Sequence, residues 1–165
     1  MMQTYRLTCE MLVPRPLPEV FQVFENPSNL RKITPPWMKF RLISPKPVPM
    51  KQGAIIDYRL QWFIVPLRWR TLITSYEPPH FFVDEQARGP YVFWRHRHDF
   101  RETPDGTLVS DTVDYALPFG PLGRLTHQWV VAANLKTIFT YRQEALNRLW
   151  GGGSQIHPPV IRAVP

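Results

Sequence analysis

Cysteine is almost absent from this chain. Cys9 stands alone among 165 residues, so neither an internal disulfide nor a thiolate metal cluster can be assembled from it. Long apolar runs are missing too: nothing approaches the roughly 20 residues of a membrane-spanning helix. Met1-Met2-Gln3-Thr4-Tyr5-Arg6 lacks the apolar core of a secretory signal. These absences point to a cytoplasmic protein without stable membrane insertion. No block of five like charges occurs, and no zinc-finger or helix-turn-helix spacing. G-x-S-x-G, Walker A, G-x-G-x-x-G and H-E-x-x-H signatures are likewise absent.

What remains is a globular composition, 44% hydrophobic and 20% charged, with six Trp, six Tyr and ten Phe to fill a core or line a pocket. The length suits one domain, 1–150, followed by a Pro-rich tail, 151–165. The net charge of +7 comes mostly from arginines. They are scattered along the whole chain rather than gathered into a stripe, so no nucleic-acid partner is expected.

Nineteen prolines and eight glycines cut the chain into segments. Tyr5, Leu7, Cys9, Met11 and Val13 alternate with polar residues, the period of a half-buried strand. Pro18 opens a short helix with an apolar face of Val20, Phe21, Val23 and Phe24; Asn26-Pro27 breaks it, and Ser28–Ile33 adds a second stub. Trp37–Ile43 reads as a strand. Ile56, Tyr58, Leu60 and Trp62 face inward on the next, Pro66 marks a tight connection, and Leu67, Trp69, Thr71 and Ile73 follow. Phe81–Ala87, Tyr91–Glu102 and Leu108–Leu117 complete seven strands, separated by Pro78-Pro79, Gly89-Pro90 and a Pro-Asp-Gly turn. From Pro121 to Trp150 the period becomes helical, with Leu122, Leu125, Trp129, Ala132, Leu135, Phe139, Leu146 and Leu149 on one side and Lys136, Thr140, Gln143 and Asn147 opposite. Gly151-Gly152-Gly153 ends it. Ser154–Pro165 has no period and reads as a surface tail or a strip docking on a neighbour.

One apolar sheet face and one helix long enough to cover it imply an α+β fold: a curved seven-stranded antiparallel sheet gripping a long C-terminal helix, with two short helices after the first strand. Such an arrangement leaves a space between helix and sheet, of about 300–1,000 Å³ where it forms a ligand pocket. The order of elements resembles the helix-grip fold of the SRPBCC superfamily, which includes START domains, plant allergen-type proteins and polyketide cyclases. The resemblance rests on Leu30 through Pro36-Trp37, Glu77-Pro78-Pro79, and Gly89-Pro90 leading into Trp94-x-His96-x-His98-x-Phe100. Gly106-Thr107, Asp111-x-Val113-x-Tyr115-x-x-Pro118 and Gly120-x-x-Gly123 follow. These motifs are similar to a bacterial ligand-binding branch over residues 3–150. The resemblance implies a cavity for a hydrophobic or amphipathic small molecule of lipid, isoprenoid or polyketide type, without fixing a reaction.

The strand Tyr91–Glu102 carries the chemistry. Arg95, Arg97 and Arg101 cannot face a core, so Trp94, His96, His98 and Phe100 must. Buried imidazoles need hydrogen bonds, and burial should lower their pKa values and keep them neutral. They can specify packing, anchor a ligand carbonyl or hydroxyl, or serve as acid/base or metal ligands. An H-x-H pair offers two metal ligands and no spacing names a third, so no metal and no cofactor are expected. On the next strand Asp111 and Tyr115 share a face. A four-residue loop would oppose His96 to Tyr115, His98 to Val113 and Phe100 to Asp111. A three-residue turn would instead oppose Asp99 to Asp111, two like charges, so the first register is preferred. It favours a His–Tyr pair and leaves a diagonal His–Asp dyad open. Tyr58, Trp62, Trp69, Trp94, Trp129, Ala132 and Phe139 are further candidate pocket walls.

Three functions follow: a small-molecule binder, with Trp94, His96, His98 and Tyr115 as its floor; a cyclase or dehydratase using His96 or His98 with Tyr115; or a non-enzymatic interaction scaffold with a filled interior and its tail or basic surface as the contact. Homodimerisation is left open.

Overall fold

The computed structural model describes residues 3–62 and 64–164. Strand β1 (Thr4–Val13) buries each of its odd-numbered residues, as period two requires. Helix α1 (Leu17–Phe24) starts with proline in its first turn and buries Leu17, Val20, Phe21 and Phe24. Asn26 stops the chain and accepts a hydrogen bond from the Ser28 N–H, and a 3₁₀ turn (Pro27–Asn29) leads into α2 (Leu30–Ile33). The expected strand over Trp37–Ile43 shrinks to two residues, β2 (Arg41–Leu42). Pro36 instead opens a 3₁₀ turn through Met38, and Lys39 then takes a left-handed φ of 45°, which no strand continues.

Strands β3 (Ile55–Trp62), β4 (Val65–Glu77), β5 (Phe81–Arg88), β6 (Phe93–Thr103) and β7 (Gly106–Ala116) follow as an antiparallel meander. Trp62 pairs with Val65 and Gln61 with Pro66, so Pro66 lies inside β4 rather than in the turn. The sheet has eight strands, in the order β2-β3-β4-β5-β6-β7-β1-β8. The eighth, β8 (Gln155–Val164), is the segment expected to be a tail, and it lies antiparallel on β1. Its prolines are tolerated because the strand is an edge: the register shifts between Thr8↔Val160 and Glu10↔His157, leaving Pro158 and Pro159 out of the ladder.

The β6–β7 hairpin has neither anticipated register. Thr103 pairs with Gly106, leaving only Pro104 and Asp105 in the loop. Gly106 makes this possible: its φ is +130°, and a side chain there would collide with the Val13 carbonyl. The result opposes Trp94 to Tyr115, His96 to Val113, His98 to Asp111 and Asp99 to Ser110. The repulsive Asp99–Asp111 pairing is still avoided.

The covering helix runs from α3 (Gly120–Thr126) through a π-helical turn (His127–Val131) into α4 (Ala132–Leu149). In that turn the Ala132 N–H donates to the His127 carbonyl, five residues back. The wider turn advances the buried face, which becomes His127, Val131, Leu135 and Phe139. Leu122, Leu125 and Trp129, expected inside at a 3.6 period, are exposed, Trp129 by 72%. Gln143, expected outside, is buried, and its amide donates to the backbone carbonyls of Glu10 and His157, tying α4 to β1 and β8. Among the described residues no helix is long and apolar enough to cross a membrane.

Candidate ligand cavity and its carboxylate–imidazole floor

The grip leaves a cavity of about 180 Å³ between the inner faces of β3–β6, the short helices and α4. That is smaller than the anticipated 300 Å³ and above, because large rings occupy the space. Tyr58, Trp62, Trp69, Trp94 and Phe139 all line it, as do His96 and His98. Trp69 meets Trp94 edge-on at 5.5 Å between ring centres, and Tyr91 packs on Trp94 at 4.8 Å. The Trp62 indole N–H donates to Asn134 Oδ1 at 3.1 Å, joining β3 to α4 across the cavity's side. The Trp69 indole N–H donates to the buried Thr71 hydroxyl at 3.1 Å. Ala132, Tyr115 and Asp111 are not among the lining residues, and Trp129 points outward.

The floor is polar and deeply buried: His96 and His98 are each 4% exposed and Asp111 is 5% exposed. His96 Nε2 lies 3.0 Å from Asp111 Oδ1. Asp111 Oδ1 also lies 2.8 Å from His98 Nδ1, and His98 Nε2 lies 3.0 Å from Asp84 Oδ2. His96 Nδ1 is 3.7 Å from the same Asp84 oxygen. Each imidazole therefore sits between two carboxylates, Asp111 behind and Asp84 on the cavity side.

Burial alone would raise both carboxyl pKa values and lower both imidazole values. For Asp84 and Asp111 the histidine contacts outweigh burial, and both are held below the ordinary carboxylate range, Asp111 well below. His96 follows burial and the neighbouring His98 downward, as expected from sequence. His98 does not: burial opposes it, but Asp111 and Asp84 together raise its pKa. The expectation that burial lowers both imidazole pKa values is corrected there. Arg142 of α4 also lines the cavity and exerts a favourable charge effect on Asp84.

The His–Tyr acid/base pair does not form. The β6–β7 register carries Tyr115 past His96, and its hydroxyl instead bonds His127 Nε2 at 2.8 Å, a ring stacked on Tyr5 at 3.4 Å. Cys9 sits beside the floor, its Sγ 3.9 Å from Asp111 Oδ2, and burial pushes its thiol pKa far up, which leaves it inert. Sequence reading missed Asp84, Arg142 and His127. Asp84 shares a strand face with Phe82, but Phe82 and Val83 are both buried, so β5 shows no clean alternation. His127 was hidden by the helical phase shift; Arg142, between Phe139 and Leu146 on the inward side of α4, was passed over because it is charged.

The family model for polyketide cyclase / dehydrase and lipid transport proteins matches residues 13–137. Among solved structures the chain is similar to protein Ms6760 from Mycobacterium smegmatis, at 17% identity and TM-score 0.66, covering 90% of each chain. Protein CV1439 from Chromobacterium violaceum superposes at 12% identity and TM-score 0.67, covering 90% of this chain and 98% of that one. Major latex-like protein 151 from Panax ginseng does so at 12% and 0.62, covering 89% and 97%. At such identities the likeness is one of fold. No curated protein matches the sequence.

Proposed function

The chain belongs to the polyketide cyclase / dehydrase and lipid transport family, and from that premise we propose that it binds a hydrophobic or amphipathic small molecule between its sheet and α4. The observation that carries this reading is the cavity itself: aromatic walls with one polar floor. Tyr58, Trp62, Trp69, Trp94 and Phe139 offer apolar contact to a ligand body, while His98, Asp84 and Arg142 offer hydrogen bonds and charge to its head. A cavity of about 150 Å³ accepts a benzene-sized molecule, so the 180 Å³ here suits a single ring or short branched chain without rearrangement. A longer lipid, isoprenoid or polyketide would need the Trp62–Asn134 contact to open.

The test is titration of the full chain with a short-chain fatty acid, a prenyl alcohol and a monocyclic aromatic ketone, followed by native mass spectrometry and tryptophan fluorescence. Saturable 1:1 binding to at least one of them, weakened about tenfold or more by Trp94→Ala, is expected. Absence of saturable binding to all three, or binding indifferent to Trp94→Ala, overturns the assignment.

A further inference from the structure

We infer that Asp84, His96 and His98 form a binding site for one divalent transition-metal ion on the cavity floor, with Asp111 orienting both imidazoles from behind. The inference does not depend on the small-molecule reading, because the ion's ligands are all protein groups. One ligand atom from each of Asp84, His96 and His98 lies within 4.8 Å of the other two. The nitrogens that face Asp84 Oδ2 are His98 Nε2 at 3.0 Å and His96 Nδ1 at 3.7 Å. Tetrahedral ligands about 2.1 Å from a zinc-sized ion stand about 3.4 Å apart, so the two measured edges straddle the required value. The third edge, 4.8 Å at most, has to shorten by up to about 1.4 Å to close the set, within reach of ring rotations.

The remaining nitrogens complete the argument. His96 Nε2 and His98 Nδ1 both face one oxygen, Asp111 Oδ1, at 3.0 and 2.8 Å. A carboxylate behind each metal-binding imidazole is the arrangement that fixes tautomer and ring orientation in metal sites. His98 Nδ1 is buried and, despite its short distance to Asp111, makes no aligned hydrogen bond. An ion on Nε2 would fix the proton on Nδ1, and a small rotation would then let it donate to Asp111. Charge agrees: buried Asp111 and partly buried Asp84 share the site, and a dication offsets both. Asp84, His96 and His98 line the cavity and Asp111 does not, so the ion's open positions would face the hollow. Two imidazoles and one carboxylate suit Zn²⁺, Fe²⁺ or Co²⁺ rather than Mg²⁺ or Ca²⁺.

The experiment uses the full chain, stripped with chelator, and Zn²⁺ alone in isothermal titration calorimetry, with Co²⁺ absorption reporting coordination. We expect one equivalent of tight binding and visible Co²⁺ bands of a four- or five-coordinate ion. Asp84→Asn and His98→Gln should each weaken Zn²⁺ binding by about 100-fold, and Asp111→Asn by about 10–100-fold. His127→Gln, outside the site, should leave it unchanged. Circular dichroism confirms that each variant compared is folded, and Asp84, with a side chain 17% exposed against 6% for His96 and 5% for His98, supplies the variant least disturbing to the fold. The proposal is overturned by the lack of 1:1 binding to wild type, or by binding that survives Asp84→Asn in folded protein.

Discussion

His96 and His98 on β6 and His127 in the π-helical turn are all sheltered from water, at 4%, 4% and 7% exposure, yet their surroundings are electrostatically unlike. The β6 pair is held between two carboxylates whose ionised forms it stabilises. His127 is held by a phenol and an aromatic face, and burial alone pushes its pKa down. Depth therefore says little about what a buried imidazole does. The partner decides whether it becomes part of a charged network, able to engage a cation or a ligand head, or a neutral packing element with one hydrogen bond.

The contrast can be broken most forcefully at Asp111. Asp111→Ala removes the carboxylate shared by both β6 rings, and urea unfolding should show a loss of about 3–5 kcal/mol, as expected when one partner of a buried charged set is deleted. A loss below 1 kcal/mol would mean that the network is not charged. At the neutral site Tyr115→Phe leaves His127 without its partner and should cost about 1–3 kcal/mol by the same measurement. A larger loss than Asp111→Ala would invert the comparison. The pH dependence sharpens it further. Among the described residues, the titratable groups seen in contact with His127 are the phenols of Tyr115 and Tyr5. Its folded pKa lies below the unfolded value of about 6.5, so the unfolded chain takes up the proton first and stability falls as pH drops through 6.5. His127→Gln should lie below wild type at pH 7.5 and close that gap by pH 5; parallel profiles would show that His127 does not titrate on unfolding. The smallest effect is expected on the opposite face of the same turn, where exposed Trp129→Ser should change stability by no more than about 0.5 kcal/mol.

Much of the sheet was legible because key strands alternate: β1 buries every second residue over ten positions, β7 does so from Thr107 to Tyr115, and proline or glycine marks their ends. Inward-facing His96 and His98 were legible for the same reason, since three arginines occupy the other face of β6. Their partners were not. Which residue lies opposite His98 depends on a loop of two residues rather than four, a choice made by the positive φ of Gly106 and the closeness of β1 behind it. Asp84 arrives from a strand whose neighbouring Phe82 and Val83 are both buried, so no alternation flags it. Trp129 was misplaced by a π turn that a 3.6-residue period cannot represent, whereas Gln143, four residues after Phe139 on the same face of α4, was misplaced by its polar side chain. Pro158-Pro159 disguised β8, because prolines argue against a strand everywhere except at an unpaired edge position.

Cys9 gives the molecule a built-in clock. It is the chain's one thiol, buried in β1 between β7 and β8, and its sulfur is shielded from both base and reagent. Its side chain lies on the inner face, in a cluster with Val131, Leu135 and Phe139 of the covering helix, so alkylation waits for that helix to lift and the labelling rate in dilute denaturant counts its excursions. If α4 detaches before the rest unfolds, the thiol will react faster than global unfolding allows, and the covering helix will have declared itself a separately opening flap.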